Sequence, residues 1–401
     1  MNTILSKPIK KAITVTMLCF FTCTLSGCWG SKELSNMALV MAAGIDITEE
    51  DQVKVTIQVF IPRAASSQQQ GAGPGTGGVE SLVLVKSATG ENMADAMVNL
   101  QKLFSRQIFW GHCDAFIFGE KFALKGHLND QIDFINRHPQ PRARGDLFIS
   151  KGPASEILEL VPALESYMGD VLQKSSELYI KKPITVKDFQ LMTISDSKGG
   201  ILPLLEISKP DQPEKATETI TTFSGVAIFK EDKMVGSIKE DVTQGLLWIR
   251  NQNKLGAITT STPDGRKISV HPLRQSTKLI PKIENGKWSV TVDVNVDGLL
   301  VQNGSNLDIM EESSSKQIET YLQHEMERDI EAAITEVRDG MGTDAFGIAE
   351  SFHQKYPEEW EKVKDHWKYV FPQVTINMDI HLKVQEPGLM TKTLGTIKRG
   401  E

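Results

Sequence analysis

Cys28, in the stretch LSGCWGSKEL (Leu25–Leu34), has the clearest chemistry in the chain. A cysteine there can be a core thiol, half of a disulfide, the tail of a membrane span, or a nucleophile that the cell modifies. Its lead-in separates these. Lys7, Lys10 and Lys11 make a positive start, and Ala12–Leu25 is an apolar run. That run has the length of a signal-peptide core and falls short of the roughly 20 residues a spanning helix needs. Ser26 and Gly27 supply the small side chains a processing enzyme requires, and no A-x-A site is present. A thiolate at a membrane surface can be alkylated by a diacylglycerol donor, giving a thioether. Cleavage between Gly27 and Cys28 then leaves the lipidated cysteine as the new N-terminus. Two or more acyl chains, each CH₂ worth about 0.8 kcal/mol when buried, meet the requirement for stable anchoring.

The pattern resembles a bacterial lipobox; the alternative is an uncleaved short anchor with Cys28 unmodified. Cys19 and Cys23 leave with the signal, so the mature chain keeps Cys28 and Cys113. With Cys28 alkylated no intramolecular disulfide can form, and Cys113 reads as a small buried apolar residue. Trp29 suits the headgroup level of a bilayer.

Other residues with chemical potential have plainer explanations. GAGPGTGG (Gly71–Gly78) has no Gly-Lys-Ser/Thr and contains Pro74, so it reads as part of a surface loop, Ser66–Gly78, and not as a phosphate cradle. HEMERD (His324–Asp329) opens like a zinc-protease helix, but Arg328 and Asp329 stand where a second histidine is needed. His112, Cys113 and Asp114 are adjacent, and on a strand adjacent side chains point to opposite faces. The pairs Glu311-Glu312 and Glu358-Glu359 fall at expected helix beginnings, where the helix dipole favours them. No catalytic set, metal site or cofactor site emerges, and an enzyme is not expected. A net charge of −7 argues against nucleic acid as a partner.

The elements around these residues alternate irregularly. Met37–Asp46, Gln52–Pro62, Asp114–Glu120 and RGDLFISKG read as strands; Glu91–Ser105 and Gly126–Asn136 read as helices. Thr185 is an expected N-cap with Asp188 at the capping-box position. Lys209–Thr219 is a charged, proline-bearing linker. A hairpin follows over FSGVAIFKEDKMVGSI, then a short helix VTQGLLWIRN. Asn285-Gly286 marks a second hairpin into the alternating Val290, Val292, Val294 and Val296. Three helices are expected near 314–338, 345–355 and from Pro357, before a closing strand QVTINMDIHLKV. With 401 residues and no βαβαβα succession, this predicts an α+β fold of mixed sheets packed with helices, the long helix in the C-terminal part. The expected division is signal 1–27, an N-terminal α+β domain 28–208, a middle domain 209–281 and a C-terminal α+β domain 282–401.

Four segments carry a resemblance to a known family. GCWGSKELSNMALVMAAGID resembles the mature start of the Ger(x)C family, the C subunits of spore nutrient germinant receptors. FWGHCDAFIFGEKFALKG resembles its strand-then-helix segment. FSGVAIFKEDKMVGSI resembles its Gly-Leu-Ala-Val-Phe hairpin, with Val226 where Leu is commoner. DAFGIAESFHQKYPEEWEKVKDHWKYVF resembles its Asp-x-Phe-Gly…Pro-x-x-Trp…Trp signature. The similarity runs from Gly27 to about Gly388; the departures are the Ser66–Gly78 loop and Gly30 where Asp is usual. The resemblance implies a three-domain lipoprotein with no catalytic residues established. It would partner two integral membrane subunits at the outer face of the spore inner membrane, in a complex that answers amino acids, sugars or nucleosides. The competing expectation is a solute-binding lipoprotein that hands a small nutrient to a transporter, against which the α+β order counts.

Overall fold

In the computed structural model the described residues are 37–61, 83–141, 143–162, 164–208, 220–254 and 256–385. Gly27 and Cys28, the Ser66–Gly78 stretch and the linker 209–219 lie outside them.

Strands β1 (Met37–Ile47), β2 (Val53–Phe60) and β3 (Val83–Gly90) pair antiparallel in sequence. The β1–β2 turn closes through Thr48 N–H to the Gln52 carbonyl (2.9 Å), with Asp51 in the left-handed region at φ 65°. Helix α1 (Met93–Gln101) begins at Asn92, whose side chain accepts from the Asp95 N–H, and buries Met93, Ala96 and Leu100. The chain then returns to β1 as β4 (Gln107–Phe109) and β5 (Ala115–Gly119), both parallel to it. Next come α2 (Glu120–Lys125), α3 (Leu128–Arg137) and β6 (Asp146–Ser150), parallel to β5. Helices α4 (Ala154–Leu158), α5 (Met168–Tyr179) and α6 (Val186–Thr193) precede β7 (Gly199–Ser208), parallel to β6. A hairpin of β8 (Ile220–Lys230) and β9 (Lys233–Lys239) completes the sheet in the order β3-β2-β1-β5-β6-β7-β8-β9, with β4 beside β1.

Helices cover both faces of this sheet. That is why β5 and β6 are buried at every position, as continuous apolar runs require. One face packs Phe116, Phe118, Leu147 and Ile149 against α1, α2, α3 and α6. The other packs Ala42, Ala115, Ile117 and Phe148 against α4 and α5.

Helix α7 (Glu240–Ile249) leads to a second sheet of β10 (Ile258–Ser261), β11 (Lys267–Glu284), β12 (Lys287–Asn303) and β13 (Thr375–Gln385). Asn285 and Gly286, at φ 51° and 74°, make the tight β11–β12 turn. Pro272 and Pro281 sit in β11 beyond the reach of β10, where no second ladder among the described residues needs their missing N–H. Val290, Val292, Val294 and Val296 face inward on β12, toward α8 (Glu312–Ile334) and its π-helical continuation Thr335–Gly340. Helices α9 (Ile348–Lys355), α10 (Pro357–Val363) and α11 (Trp367–Val370) then lead into β13, parallel to β12.

The architecture is α+β, with the long helix in the C-terminal part. The segment 209–281 is shared between the sheets: β8 and β9 finish the first, and β10 and most of β11 begin the second. Strands β4, β7 and β10 and helix α5 were not anticipated from the sequence. In β7 the pair Gly199-Gly200 and Pro203 interrupt any strand signal, yet Ile201, Leu202, Leu204 and Leu205 are buried there.

Candidate functional site

Glycine and aspartate in the motif Gly44-Ile45-Asp46 join strand to helix. Asp46 is buried at the end of β1, and its two carboxylate oxygens accept the N–H groups of Ala154 (2.8 Å) and Ser155 (3.0 Å) at the start of α4. Burial raises its pKa, against the pull of those two amides. Gly119 permits the approach, since a Cβ there would stand 2.3 Å from Asp46 Oδ1. Gln58, fully buried on β2, clamps the other end of α4: its amide donates to the Leu158 carbonyl (3.0 Å) and its oxygen accepts from Met168 N–H (2.8 Å).

The second constellation lies in the segment 344–371. Asp344 is buried; Oδ1 accepts the N–H groups of Phe346 (3.2 Å), Gly347 (3.1 Å) and Ile348 (3.1 Å). Oδ2 takes Ala349 N–H (2.8 Å) and the Trp367 indole N–H (3.1 Å). Gly347, at φ 85°, turns the chain into α9 in a conformation that suits glycine. Burial pushes the Asp344 carboxyl up to about 6, helped by nearby Glu350 and opposed by its donors. Trp360 and Trp367 meet edge to face at 5.1 Å between centroids, and Trp367 reaches Phe352 (5.9 Å), Trp288 (6.0 Å) and Phe371 (5.9 Å).

This knot is tied to the first sheet. Arg250, just past α7, donates Nη1 to the Ala345 carbonyl (2.5 Å). Glu350 accepts from Ser197 N–H (3.1 Å) and Oγ (2.8 Å), and His353 Nδ1 lies 2.5 Å from Asp196. A Cβ on Gly199 would sit 2.1 Å from the Asp344 carbonyl oxygen, so β7 and the knot touch backbone to backbone.

Two family models match the chain. The spore germination protein N-terminal domain covers residues 30–207, and the "Spore germination B3/ GerAC like, C-terminal" model covers 224–388. The chain is a Ger(x)C family spore germination protein. Spore germination protein KC of Bacillus subtilis (strain 168) is 23% identical over 400 residues, covering 95% of this chain and 97% of the relative. Spore germination protein B3 of the same organism is 23% identical over 398 residues, covering 96% and 100%. The crystal structure of the GerBC protein shares the fold at a TM-score of 0.53 and 19% identity, covering 86% of this chain and 96% of that one.

In this Ger(x)C protein the C-terminal signature residues therefore assemble into one packed, hydrogen-bonded unit, which the sequence could not show. The other sequence candidates separate. His112 is exposed in a turn, with Cys113 N–H bonded to the Trp110 carbonyl; Cys113 is buried, and burial pushes its thiol far above the usual range. His324 lies on the outer side of α8, paired with Glu327 at 2.9 Å. Among the described residues no group of three or more His, Cys, Asp or Glu could hold a metal ion.

A cleft of about 1200 Å³ opens between the two sheets, lined among others by Phe223, Lys239, Asp241, Trp248, Glu325 and Asp329. Burial pushes Asp329 up to about 6, with Glu325 adding to the effect. Across the first sheet, burial pushes Asp146 up to about 7, reinforced by Glu177, Asp114 and Asp188; its Oδ2 makes no hydrogen bond. Buried Gln58 and Asp146 and half-buried Arg250 are among the polar residues that sequence reasoning missed. Gln58 alternates with apolar neighbours in VKVTIQVF and so resembles an outward-facing position.

Proposed function

We propose that this chain is the lipid-anchored subunit of a spore nutrient germinant receptor. In this reading an acylated Cys28 holds it at the outer face of the spore inner membrane, beside two integral membrane subunits, and it performs no chemistry itself. The observation that carries the reading is the end-to-end match to proteins named for spore germination, over 95% and 96% of the chain. Cys28 with its apolar lead-in supplies the anchor, and no helix among the described residues is long and apolar enough to cross a membrane. The motif residues act by packing and capping, as expected of a subunit that supports a complex.

Deletion of the gene in a strain stripped of redundant receptors is expected to abolish germination with at least one nutrient while sporulation proceeds normally. An unimpaired response would remove the proposal. Metabolic acyl labelling is expected to mark the wild-type chain and to disappear in Cys28→Ala.

A further inference from the structure

Apolar side chains that face water lie on both faces of the first sheet, beside the start and the middle of β1. On one face of the first sheet, α1 runs back toward β4, whose Gln107 pairs with Met37, the first residue of β1. There Val98 and Leu103 are 58% and 53% exposed. On the other face, the loop between α4 and α5 is pinned at the middle of β1: Gln58 holds Leu158 and Met168, and Gly169 packs on the Met41 carbonyl. This loop exposes Val161 by 72% and Leu164 by 94%. The carboxylate beside Leu164, Glu165, is held by Lys174 at 2.6 Å.

Among the described residues nothing covers these four side chains, and exposed apolar groups in loops on both faces of one sheet mark a contact surface. The tether says which. Nine residue steps separate Cys28 from Met37. Whatever path they take, they span at most roughly 30 Å. The middle of β1, five residues further on, lies roughly 17 Å along the strand. An anchored Cys28 therefore keeps both loops within reach of the lipid headgroups.

We infer that the end of the first sheet bearing Leu103 and Leu164 rests on the bilayer, the two loops inserting their apolar side chains at the headgroup–acyl boundary. This rests on the reading of Cys28 as the anchor. Lys102 and Arg106, beside Leu103, supply cations that suit an anionic headgroup layer. The anchor then fixes orientation as well as location, because the three attachments define a plane.

The test uses the processed, acylated chain in vesicles of phosphatidylethanolamine and phosphatidylglycerol. An environment-sensitive dye is placed on Leu103→Cys or Leu164→Cys; buried Cys113 is not expected to react. The reference is Leu124→Cys, 45% exposed beside Lys125, which pairs with Asp51 at the opposite end of β1. The dye at 103 and 164 is expected to shift its emission to shorter wavelength and to be quenched by nitroxide-labelled acyl chains, and the dye at 124 to do neither. Mass spectrometry of the same sample reads the acyl groups on Cys28. Acylated protein whose dyes at 103 and 164 behave like the one at 124 overturns the proposal and leaves the anchor intact. A missing acyl mass overturns both. A response that requires the receptor's membrane subunits assigns the surface to protein and likewise overturns the contact with lipid.

Discussion

Asp46 and Asp344 close helix starts in the two halves of the molecule, but over very different spans of chain. Asp344 accepts amides two to five residues downstream and one indole from Trp367. Asp46 accepts amides 108 and 109 residues away. The first is a local cap that tertiary packing has buried; the second exists only once β1 and α4 have met. Both carboxylates are lifted by burial. A capping carboxylate thus shapes a loop in one half and welds a strand to a helix in the other.

The strongest way to break the comparison is Asp344→Ala. It leaves four amides and the Trp367 N–H without their acceptor, and it loosens the packing that the indole bond holds in place. A loss of about 3–5 kcal/mol is expected from denaturant titration, as for other broken buried networks. Asp46→Ala strands two amides at a five-residue helix. It also relieves a buried carboxylate, so about 2–3 kcal/mol is expected. If Asp46→Ala proves the costlier of the two, the long-range weld matters more than the number of donors.

The difference in span also explains what could be read beforehand. Local devices were legible: the Thr185–Asp188 capping box, the Asn285-Gly286 turn, the valine alternation of β12 and the apolar stripe of α8 all have their causes within a few residues. The proposed anchor at Cys28 rests on equally local evidence, the run immediately before it, and lies outside the described residues. The partners of Asp46, Gln58 and Arg250 were not legible, because each is supplied by an element 95 to 110 residues distant. Strand β7 was hidden for a related reason. Buried on both faces, it shows no alternation, and helix α5 buries a stripe that includes Gly169 and Ser176, too mixed to register as apolar. The Asp-x-Phe-Gly and Trp residues were visible as a motif, but their convergence on one carboxylate depends on the fold of three short helices.

Asp146 sharpens the comparison by its sign. It is as buried as the capping carboxylates, yet Oδ2 has no donor, and three carboxylates stand near it. Burial pushes its pKa to about 7, above the unfolded value of about 4. The folded state therefore holds a proton that the unfolded chain releases, and its stability falls as pH rises from about 4 to about 7. Asp146→Asn should flatten that slope and make the protein more stable at pH 8 by about 2 kcal/mol, with little change at pH 4. Thermal unfolding at the two pH values checks it. A variant that is less stable at pH 8 would mean that the charged form has an unseen partner.

Thr185→Ala tests the local cap in its partly exposed form. Thr185 Oγ1 accepts the Asp188 N–H at 3.2 Å, and Asp188 Oδ2 accepts the Thr185 N–H at 3.2 Å. Burial lifts Asp188, but Lys182 and Thr185 outweigh it and hold the carboxyl below its usual range. Removing the hydroxyl ends one half of the box, while water can reach the freed amide and Asp188 keeps Lys182 at 2.7 Å. The expected loss is about 1 kcal/mol, the ordinary worth of an N-cap side chain. The gap between this value and that of Asp344→Ala measures what burial and the additional donors together add to a local cap. Near-equal losses would show that the number of donors and their exclusion from water add nothing, and that the Asp344 knot derives its stability from the tryptophans alone.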